Sequence, residues 1–265
     1  MDLGLAGKTV IVTGGGSNIG RGISLIFGEE GANVVIADLD LEQGEKVAKL
    51  IISKGGKAVA IKTDVTNVES VNSMVKSVKD KFGKIEILVN NVGWESVKPF
   101  IGKPEEEWQK EIKINYHSAI YCVSAVVPHM IEQKYGKIVS IASDAGRVGE
   151  NMGAVYAGCK GAIIAFSKSM VLELSRYGIN INVVCPAIIV PQNLAEEVGK
   201  ASMSLEPAAE FLRSKEIMDK IIKVYPLRRL GTAADIGNMV AFVASDKCNY
   251  VTGQTISVDG GFTMI

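Results

Sequence analysis

The sequence predicts an α/β fold: a single doubly wound parallel sheet of about seven strands, with helices on both faces and a small helical lid. Short β-branched runs alternate with longer helical patterns along the chain. Several of these runs, such as residues 34–37, are apolar at every position, which is typical of strands covered on both faces. The 265 residues fit one large domain, residues 1–265, better than two ordinary ones.

Strands and helices are predicted in alternation over most of the chain. The strands are predicted over residues 8–13, 33–38, 57–63, 85–90, 137–141, 179–184 and 255–258. The helices are predicted over residues 19–30, 41–54, 68–82, 104–133, 154–177 and 233–244. Residues 187–231 hold no strand pattern and a partly helical one. Because a connection this long is usually functional, we predict a substrate lid there.

The composition argues against several classes of partner. Basic and acidic side chains number 29 each, so no surface for nucleic acid is indicated. The four cysteines form no C-x-x-C pair and only two histidines are present, so no metal site is predicted. The sequence holds no uninterrupted apolar run long enough for a bilayer and no signal-peptide pattern at its start. We therefore predict a cytoplasmic protein with reduced thiols and no membrane partner.

A glycine-rich turn, residues 13–20, follows the first predicted strand and opens the first predicted helix. Glycines let the backbone approach a pyrophosphate closely, and the helix N-terminus presents free N–H groups to it. A glycine cluster alone also fits a plain tight turn. Its place between a strand and a helix near the N-terminus favours a nucleotide site on a Rossmann-type sheet.

Asp38 ends the second predicted strand and follows Gly20 at the spacing typical of dinucleotide sites. A carboxylate at this place accepts hydrogen bonds from the adenosine ribose hydroxyls and repels a 2′-phosphate. No Lys or Arg lies between Gly14 and Gly20 to bind such a phosphate, although Arg21 follows directly. The alternative is a surface Asp that begins a helix cap. The position favours NAD over NADP.

Tyr156 and Lys160 stand four positions apart in a predicted helix and so share one face. A nearby ammonium favours the phenolate and lowers the pKa of the tyrosine toward a value useful for proton transfer. With seven tyrosines in the chain, the spacing alone also arises by chance. The pair therefore needs support from other residues.

That support comes from polar residues predicted at the same edge of the sheet. They lie at the carboxyl ends of predicted strands or on helices facing them, where ligands bind in open α/β sheets. They are Asp64 with Val65, residues 90–93, Asn115 and Ser143. Each alone fits a cap or a turn, whereas together they indicate an active site.

These motifs resemble those of the short-chain dehydrogenase/reductase family, over a stretch from Gly7 to about Thr263. The resemblance covers the glycine-rich turn, the Asp-Val pair, Asn-Asn-x-Gly, the helix Asn, and Tyr-x-x-x-Lys with its preceding Ser. It also covers the ending at residues 251–261. It implies an NAD(P)-dependent oxidoreductase acting on CH–OH groups, which interconverts a secondary alcohol and a ketone.

The resemblance also implies roles for individual residues. Tyr156 is the acid/base, Lys160 tunes it and binds the nicotinamide ribose, and Ser143 holds the substrate oxygen. Asn115 positions a water in a proton relay from Lys160. The implied NAD contacts are Gly14, Ser17, Asn18, Ile19, Gly20, Asp38, Leu39, Asp64, Val65, Asn91, Gly93, Tyr156, Lys160, Pro186 and Ile189. The family is usually dimeric or tetrameric, with helices near residues 104–134 and 154–177 at the interface, so a homotetramer or dimer is predicted.

Three positions depart from the family's pattern. Asn18 stands where a glycine is usual, and Asn is among the residues that best tolerate positive φ. Ala187 follows Pro186 in place of a glycine, and Pro191 replaces a threonine that often contacts the nicotinamide carboxamide. These changes leave open a catalytically idle subunit of a hetero-oligomeric dehydrogenase. The four retained catalytic residues argue against it.

The substrate is predicted from a narrower resemblance. Residues 90–94, 146–149 and 262–264 resemble the branch that oxidises hydroxyacyl-CoA thioesters, among them 2-hydroxycyclohexanecarboxyl-CoA dehydrogenases. A cyclic or aryl β-hydroxyacyl-CoA is therefore the predicted small-molecule substrate. The alternative is an NADP-dependent 3-oxoacyl-carrier-protein reductase of the same fold, which Asp38 disfavours.

Four side chains are predicted at the substrate. Ser143 and Tyr156 bind the reacting oxygen. Trp94 walls an apolar pocket, although packing beneath the lid is an equal interpretation. Arg147, together with Arg213 and Lys215 of the lid, meets the CoA phosphates or else remains solvated.

Overall fold

The structure, a computed structural model, describes residues 1–200 and 214–265. Its strands are β1 (Thr9–Thr13), β2 (Asn33–Asp38), β3 (Lys57–Lys62), β4 (Ile87–Asn90), β5 (Gly136–Ile141), β6 (Ile179–Pro186) and β7 (Thr255–Val258). They form one sheet in the order β3-β2-β1-β4-β5-β6-β7, and every neighbouring pair is parallel. The strand order reverses between β1 and β4, which makes a crevice at the carboxyl ends of these strands. The predicted doubly wound fold is confirmed.

Helices connect consecutive strands. They are α1 (Asn18–Glu29), α2 (Leu41–Ser53), α3 (Val68–Phe82), α4 (Glu105–Ile112), α5 (Ser118–Gln133), α6 (Ala145–Val148), α7 (Ala154–Leu174), α8 (Leu194–Glu197), α9 (Lys215–Ile222) and α10 (Ala233–Val243). Every predicted strand is present, with ends within about two residues of the predicted bounds, which is the usual scatter of boundary assignment. The short α6 has no counterpart among the predicted helices.

Two apolar clusters cover the two faces of the sheet. On one face, Phe27 of α1 packs with Val10 and Val12 of β1 and with α10. On the other face, Ile11 of β1 packs with buried residues of α3 and α5, such as Val126. Because both faces are buried, the strands are apolar at successive positions. Polar groups that act on a ligand therefore collect at the strand ends.

The predicted helix over residues 104–133 is not one regular helix. A π turn, Lys113–His117, separates α4 from α5 and contains Asn115. Such turns are rare and frequently lie at functional sites, because the extra residue redirects the side chains around it. Asn115 is buried, and it points toward the loop that follows β4.

The region predicted as a lid contains one feature that the pattern did not indicate. Ile189 pairs with Gly231 in a parallel bridge, so the two ends of the region meet beside the sheet. Its first part then crosses to the glycine-rich turn: the Gly199 N–H donates to Ser17 Oγ at 2.9 Å. Arg213 lies outside the described residues, as does the side chain of Lys215.

Helix α7 has two unlike faces. Among the described residues, Ala154–Tyr177 is the one helical span that is long and apolar enough to cross a bilayer, with a mean hydropathy of 1.2. Helix α7 nevertheless packs on α4, α6 and β6, and it buries Lys160 against the sheet. Only 22% of the residues in its most apolar 18-residue stretch are buried within the chain, so much of the helix is left uncovered.

Candidate active site

A cavity of about 670 Å³ runs along the carboxyl ends of the central strands. Most of the residues that the sequence predicts for catalysis and cofactor binding line it. They are Gly14, Ser17, Asn18, Ile19, Gly20, Asp38, Leu39, Asp64, Val65, Asn91, Gly93, Trp94, Ser143, Tyr156, Lys160 and Pro186. One cavity thus joins the glycine-rich turn at one end to the tyrosine–lysine pair at the other.

The glycine-rich turn is tightly closed. A Cβ atom on Gly20 would lie 2.0 Å from the Gly14 carbonyl oxygen and 2.6 Å from Asn91 Nδ2, so no side chain fits there. Asn91 Nδ2 donates to the carbonyl oxygens of Thr13 and Gly14, which links this turn to the end of β4. Asn18 has a φ of 41°, in the left-handed region that Asn tolerates. The turn therefore keeps its shape without the family's usual glycine.

The turn also leaves polar groups directed at the cavity. The side-chain oxygen of Asn18 is buried and has no hydrogen-bond partner within the described part of the chain. Asn18 begins α1, whose first N–H groups lack partners within the helix. A pyrophosphate group fits this environment, because it needs close backbone approach and several donors.

Asp38 lies at the end of β2 and is 8% exposed. Its carboxylate accepts hydrogen bonds from the Gly16 N–H at 2.9 Å and the Asp40 N–H at 3.0 Å. Burial raises the pKa of Asp38, and these two donors oppose the rise. The carboxylate is thus fixed between the glycine-rich turn and α2, where it also borders the cavity. Two ribose hydroxyls fit its remaining acceptor positions.

Tyr156 and Lys160 lie on the inner face of α7. The Lys160 ammonium lies 5.5 Å from the centre of the Tyr156 ring and donates to the Ile141 carbonyl at 3.0 Å. Burial lowers the pKa of Lys160 to about 8. Tyr156 forms a hydrogen bond with Ser143, which completes a group of three polar side chains at one end of the cavity.

The pKa of Tyr156 differs from the expectation based on spacing. Burial raises it strongly, the nearby Glu95 raises it further, and the hydrogen bond with Ser143 only partly offsets these effects. The expected lowering by Lys160 does not prevail, because the loss of hydration around the phenol is the largest contribution and raises the pKa. Without a further positive charge in the cavity, Tyr156 is held as the neutral phenol, the form that donates a proton.

Asn115 braces the loop after β4. Its side-chain amide donates to the carbonyl oxygens of Trp94 at 2.6 Å and Glu111 at 2.9 Å, and its oxygen accepts from the Trp94 N–H at 3.1 Å. A Cβ atom on Gly93 would lie 3.1 Å from Lys160 Nζ and 3.2 Å from the Asn115 oxygen. Asn115 is therefore beside Lys160, as the resemblance implies. Its amide holds the loop in place, and its role in a proton relay stays a prediction.

The structure places two predicted site residues in other surroundings. Arg147 donates to Ser257 Oγ at 2.7 Å and to the Ile265 carbonyl at 2.6 Å, and it is not among the described residues lining the cavity. Its guanidinium therefore holds the C-terminal segment, which corrects the predicted contact with the substrate. The side chain of Ile189 likewise packs against the core and Gly231.

Trp94 does line the cavity, and a cation covers its ring. The ammonium of Lys110 lies 4.2 Å from the ring centre, a favourable distance for a cation–π contact. Lys110 and Lys113, one turn apart, also line the cavity and are exposed. These lysines, which the sequence interpretation did not single out, occupy the kind of position predicted for Arg147.

Comparison with known proteins agrees with this geometry. Residues 14–263 match the family described as Enoyl-(Acyl carrier protein) reductase. Oxidoreductase UcpA of Salmonella typhimurium is 34% identical over 98% of this chain and 96% of its own. The 3-oxoacyl-[acyl-carrier-protein] reductase FabG of Chlamydia pneumoniae is 36% identical over 99% of this chain and 100% of its own. The chain belongs to the short-chain dehydrogenase/reductase family.

Other short-chain dehydrogenases/reductases support the assignment. FabG of Staphylococcus aureus strain N315 is 35% identical over 97% of this chain and 98% of its own. The solved structure titled "Crystal structure of gox2181" superposes with a TM-score of 0.89 at 30% identity, over 98% of this chain and 97% of that one. The likeness thus extends over nearly the whole fold. The chain is an oxidoreductase by family.

One cavity residue of this short-chain dehydrogenase/reductase went unnoticed in the sequence. Glu95 follows Trp94 in the loop after β4 and lines the cavity. Burial raises its pKa to about 7, with further contributions from Glu150 and Glu111. In the sequence, the adjacent Trp94 is the feature that marks this position, since a lone Glu in a polar loop is normally interpreted as a solvated side chain.

Proposed function

We propose that this protein is an NAD-dependent dehydrogenase that interconverts a secondary alcohol and a ketone. The observation that carries the proposal is the grouping of Ser143, Tyr156 and Lys160 at one end of a cavity whose other end holds Asp38. An idle subunit is disfavoured, because such a protein has no need to keep this arrangement. The arrangement fits both an acid/base reaction and a dinucleotide.

The proposed roles follow from the contacts. In oxidation, Tyr156 accepts the hydroxyl proton of the substrate while Ser143 holds the oxygen in place. A nicotinamide held in the cavity beside Tyr156 and Lys160 would supply the acceptor for the hydride of the carbinol carbon. The ammonium of Lys160 stabilises the phenolate through its charge. In reduction the proton moves from Tyr156 to the ketone oxygen, and the raised pKa of Tyr156 keeps it in the protonated form that this step requires.

Cofactor choice is testable at Asp38. We expect Asp38→Ser to lower the ratio of kcat/KM for NAD to that for NADP by at least about tenfold, because the repulsion of a 2′-phosphate is removed. Asp38→Asn is the matched control for shape, since it keeps one acceptor oxygen without the charge, and it should change the ratio in the same direction. A wild-type protein that uses NADPH better than NADH would contradict the assignment.

We further propose a cyclic or aryl β-hydroxyacyl-CoA as the substrate. Trp94 provides an aromatic wall near the reacting end of the cavity, which suits a ring or acyl chain. Lys110 and Lys113 take the place of Arg147 as candidate partners for the CoA phosphates, since both are exposed at the cavity. A carrier-protein thioester is the second candidate, favoured by the relatives named 3-oxoacyl-[acyl-carrier-protein] reductase.

A substrate panel separates these candidates. We expect kcat/KM for the CoA thioester of 2-hydroxycyclohexanecarboxylic acid to exceed that for its free acid, for the N-acetylcysteamine thioester and for cyclohexanol. The difference should be at least about tenfold, because remote binding of the carrier helps to orient the reacting carbon. If a mimic of the carrier-protein thioester has the same kcat/KM as the CoA thioester, the carrier-protein reductase is favoured. Equal kcat/KM on cyclohexanol would reject the CoA assignment and leave the dehydrogenase intact.

We also propose that the protein assembles into a homotetramer or dimer through α5 and α7. The incomplete burial of α7 supports this, since only 22% of the residues in its most apolar 18-residue stretch are buried within one chain. Leu172 illustrates the point, because this leucine is 87% exposed. A second copy of the same face would cover it, as in an isologous interface.

A further inference from the structure

Glu95 is an unpaired acidic group in the wall of the reaction cavity. A Cβ atom on Gly153, at the start of α7, would lie 2.5 Å from Glu95 Oε1. This oxygen therefore lies beside Gly153, which precedes Tyr156 by three residues. The oxygen is buried and has no hydrogen-bond partner within the described part of the chain. Buried polar atoms are normally satisfied, so an unpartnered carboxyl oxygen in the side chain of a residue that lines the cavity points to a ligand contact by this carboxyl group.

Lys103, the cation that lowers the pKa of Glu95, already has partners. Lys103 donates to both carboxylate oxygens of Glu111 at 2.8 Å, and the two side chains are 1% and 0% exposed. Lys103 also donates to the Ser96 carbonyl at 2.8 Å. Glu95 therefore has no charge partner of its own among the described residues.

The other groups facing Glu95 disfavour its ionised form. Glu150 approaches from the loop before α7 and Glu111 from α4, and both repel a carboxylate at Glu95 more than Lys103 attracts it. The charge of the nearby Glu95 also raises the pKa of Tyr156 on α7. The start of α7 opposes these effects through its dipole, yet the pKa of Glu95 is raised to about 7. At neutral pH a large share of Glu95 carries a proton.

We propose that Glu95 contacts the substrate and determines specificity, with its carboxyl group donating a hydrogen bond to the thioester carbonyl oxygen. This inference rests on the proposed thioester substrate. In a β-hydroxyacyl thioester one carbon separates the carbinol carbon from the thioester carbonyl, so one cavity holds both oxygens. Ser143 and Tyr156 bind the hydroxyl, while Glu95 binds the carbonyl. A simple alcohol has no group for Glu95.

The test compares two probes that differ in this carbonyl. The first is the N-acetylcysteamine thioester of 2-hydroxycyclohexanecarboxylic acid, and the second is cyclohexanol. We expect Glu95→Leu to lower the ratio of kcat/KM for the thioester to that for cyclohexanol by about tenfold, the usual order for one lost hydrogen bond. Glu95→Gln, which keeps a donor, should stay within about threefold of the wild-type ratio at pH 6. The matched control is Glu106→Leu on the exposed side of α4, which should leave the ratio unchanged.

The pH dependence of the same ratio provides a second readout, because the contribution of Tyr156 cancels in it. Glu95 loses its proton as pH rises through about 7, so the wild-type ratio should fall between pH 6 and 8. Glu95→Gln should remove this fall. Glu150→Gln should move it to lower pH, since one repelling charge is gone and the pKa of Glu95 decreases.

The possible failures are distinguishable. If the wild type prefers the thioester but Glu95→Leu keeps the wild-type ratio, the role of Glu95 is overturned and the proposed function stands. A fall in both rates by the same factor in Glu95→Leu also overturns it, because that result indicates a structural role. If the wild type does not prefer the thioester over cyclohexanol, the substrate proposal fails, and the inference fails with it.

Discussion

Tyr156→Phe should lower kcat by at least about 10²-fold while the protein keeps its fold and its affinity for NAD. The substitution removes one oxygen from a half-buried ring, so the packing of α7 against the sheet is retained. It deletes the hydroxyl that bonds to Ser143 and carries the transferred proton. Because the proton has no other acceptor in the same position, the chemical step is affected far more than binding.

The effect is measured by steady-state kinetics of alcohol oxidation, with NAD affinity followed by titration of intrinsic fluorescence. Tyr250→Phe is the matched control, since Tyr250 is completely exposed and distant from the cavity lining. It should leave kcat unchanged. Turnover of Tyr156→Phe close to that of the wild type would overturn the assigned mechanism.

Lys160→Ala should lower kcat by at least about 10²-fold and also weaken NAD binding, because the same ammonium stabilises the phenolate and reaches the cofactor. Lys160→Met separates charge from volume, since it fills nearly the same space without a charge. Both variants should lose activity to a similar extent. An active Lys160→Met protein would show that only the volume matters.

The substitution Lys160→Met should raise the stability of the folded protein at neutral pH, although it lowers the activity. The pKa of Lys160 is lowered from its usual 10.5 to about 8 in the folded protein, so the folded state holds this proton less tightly than the unfolded chain. The ionised form therefore opposes folding at pH 7, and this penalty disappears as pH rises from about 8 to about 10.5. Thermal unfolding of Lys160→Met should show a larger gain in Tm over the wild type at pH 7 than at pH 10.

The sheet could be predicted closely because its signals are local. Strands buried on both faces are apolar at each position, as in β2, and the polar residues that interrupt them mark their carboxyl ends. In a parallel sheet these ends share one edge, so the sequence alone predicts that the glycine-rich turn, Asp38 and Ser143 lie together.

Contacts between distant parts of the chain could not be predicted in this way. Arg147 lies four positions after Ser143 and so was expected near the substrate, yet its partners are Ser257 and Ile265 at the other end of the sequence. Glu95 shows the reverse case. Its importance depends on Gly153 and Glu150, which only the folding of the loop before α7 brings beside it.

The π turn at Lys113–His117 shapes the site through one additional residue in the helix. In a regular helix each residue advances by about 100°, so the additional residue shifts α4 around its axis relative to α5. That offset lets Asn115 face Trp94 while α5 still buries its apolar side in the core. Because the turn depends on one additional residue, shortening the chain here by one residue, and not a substitution, is the change that would make the helix regular and turn Asn115 away from Trp94.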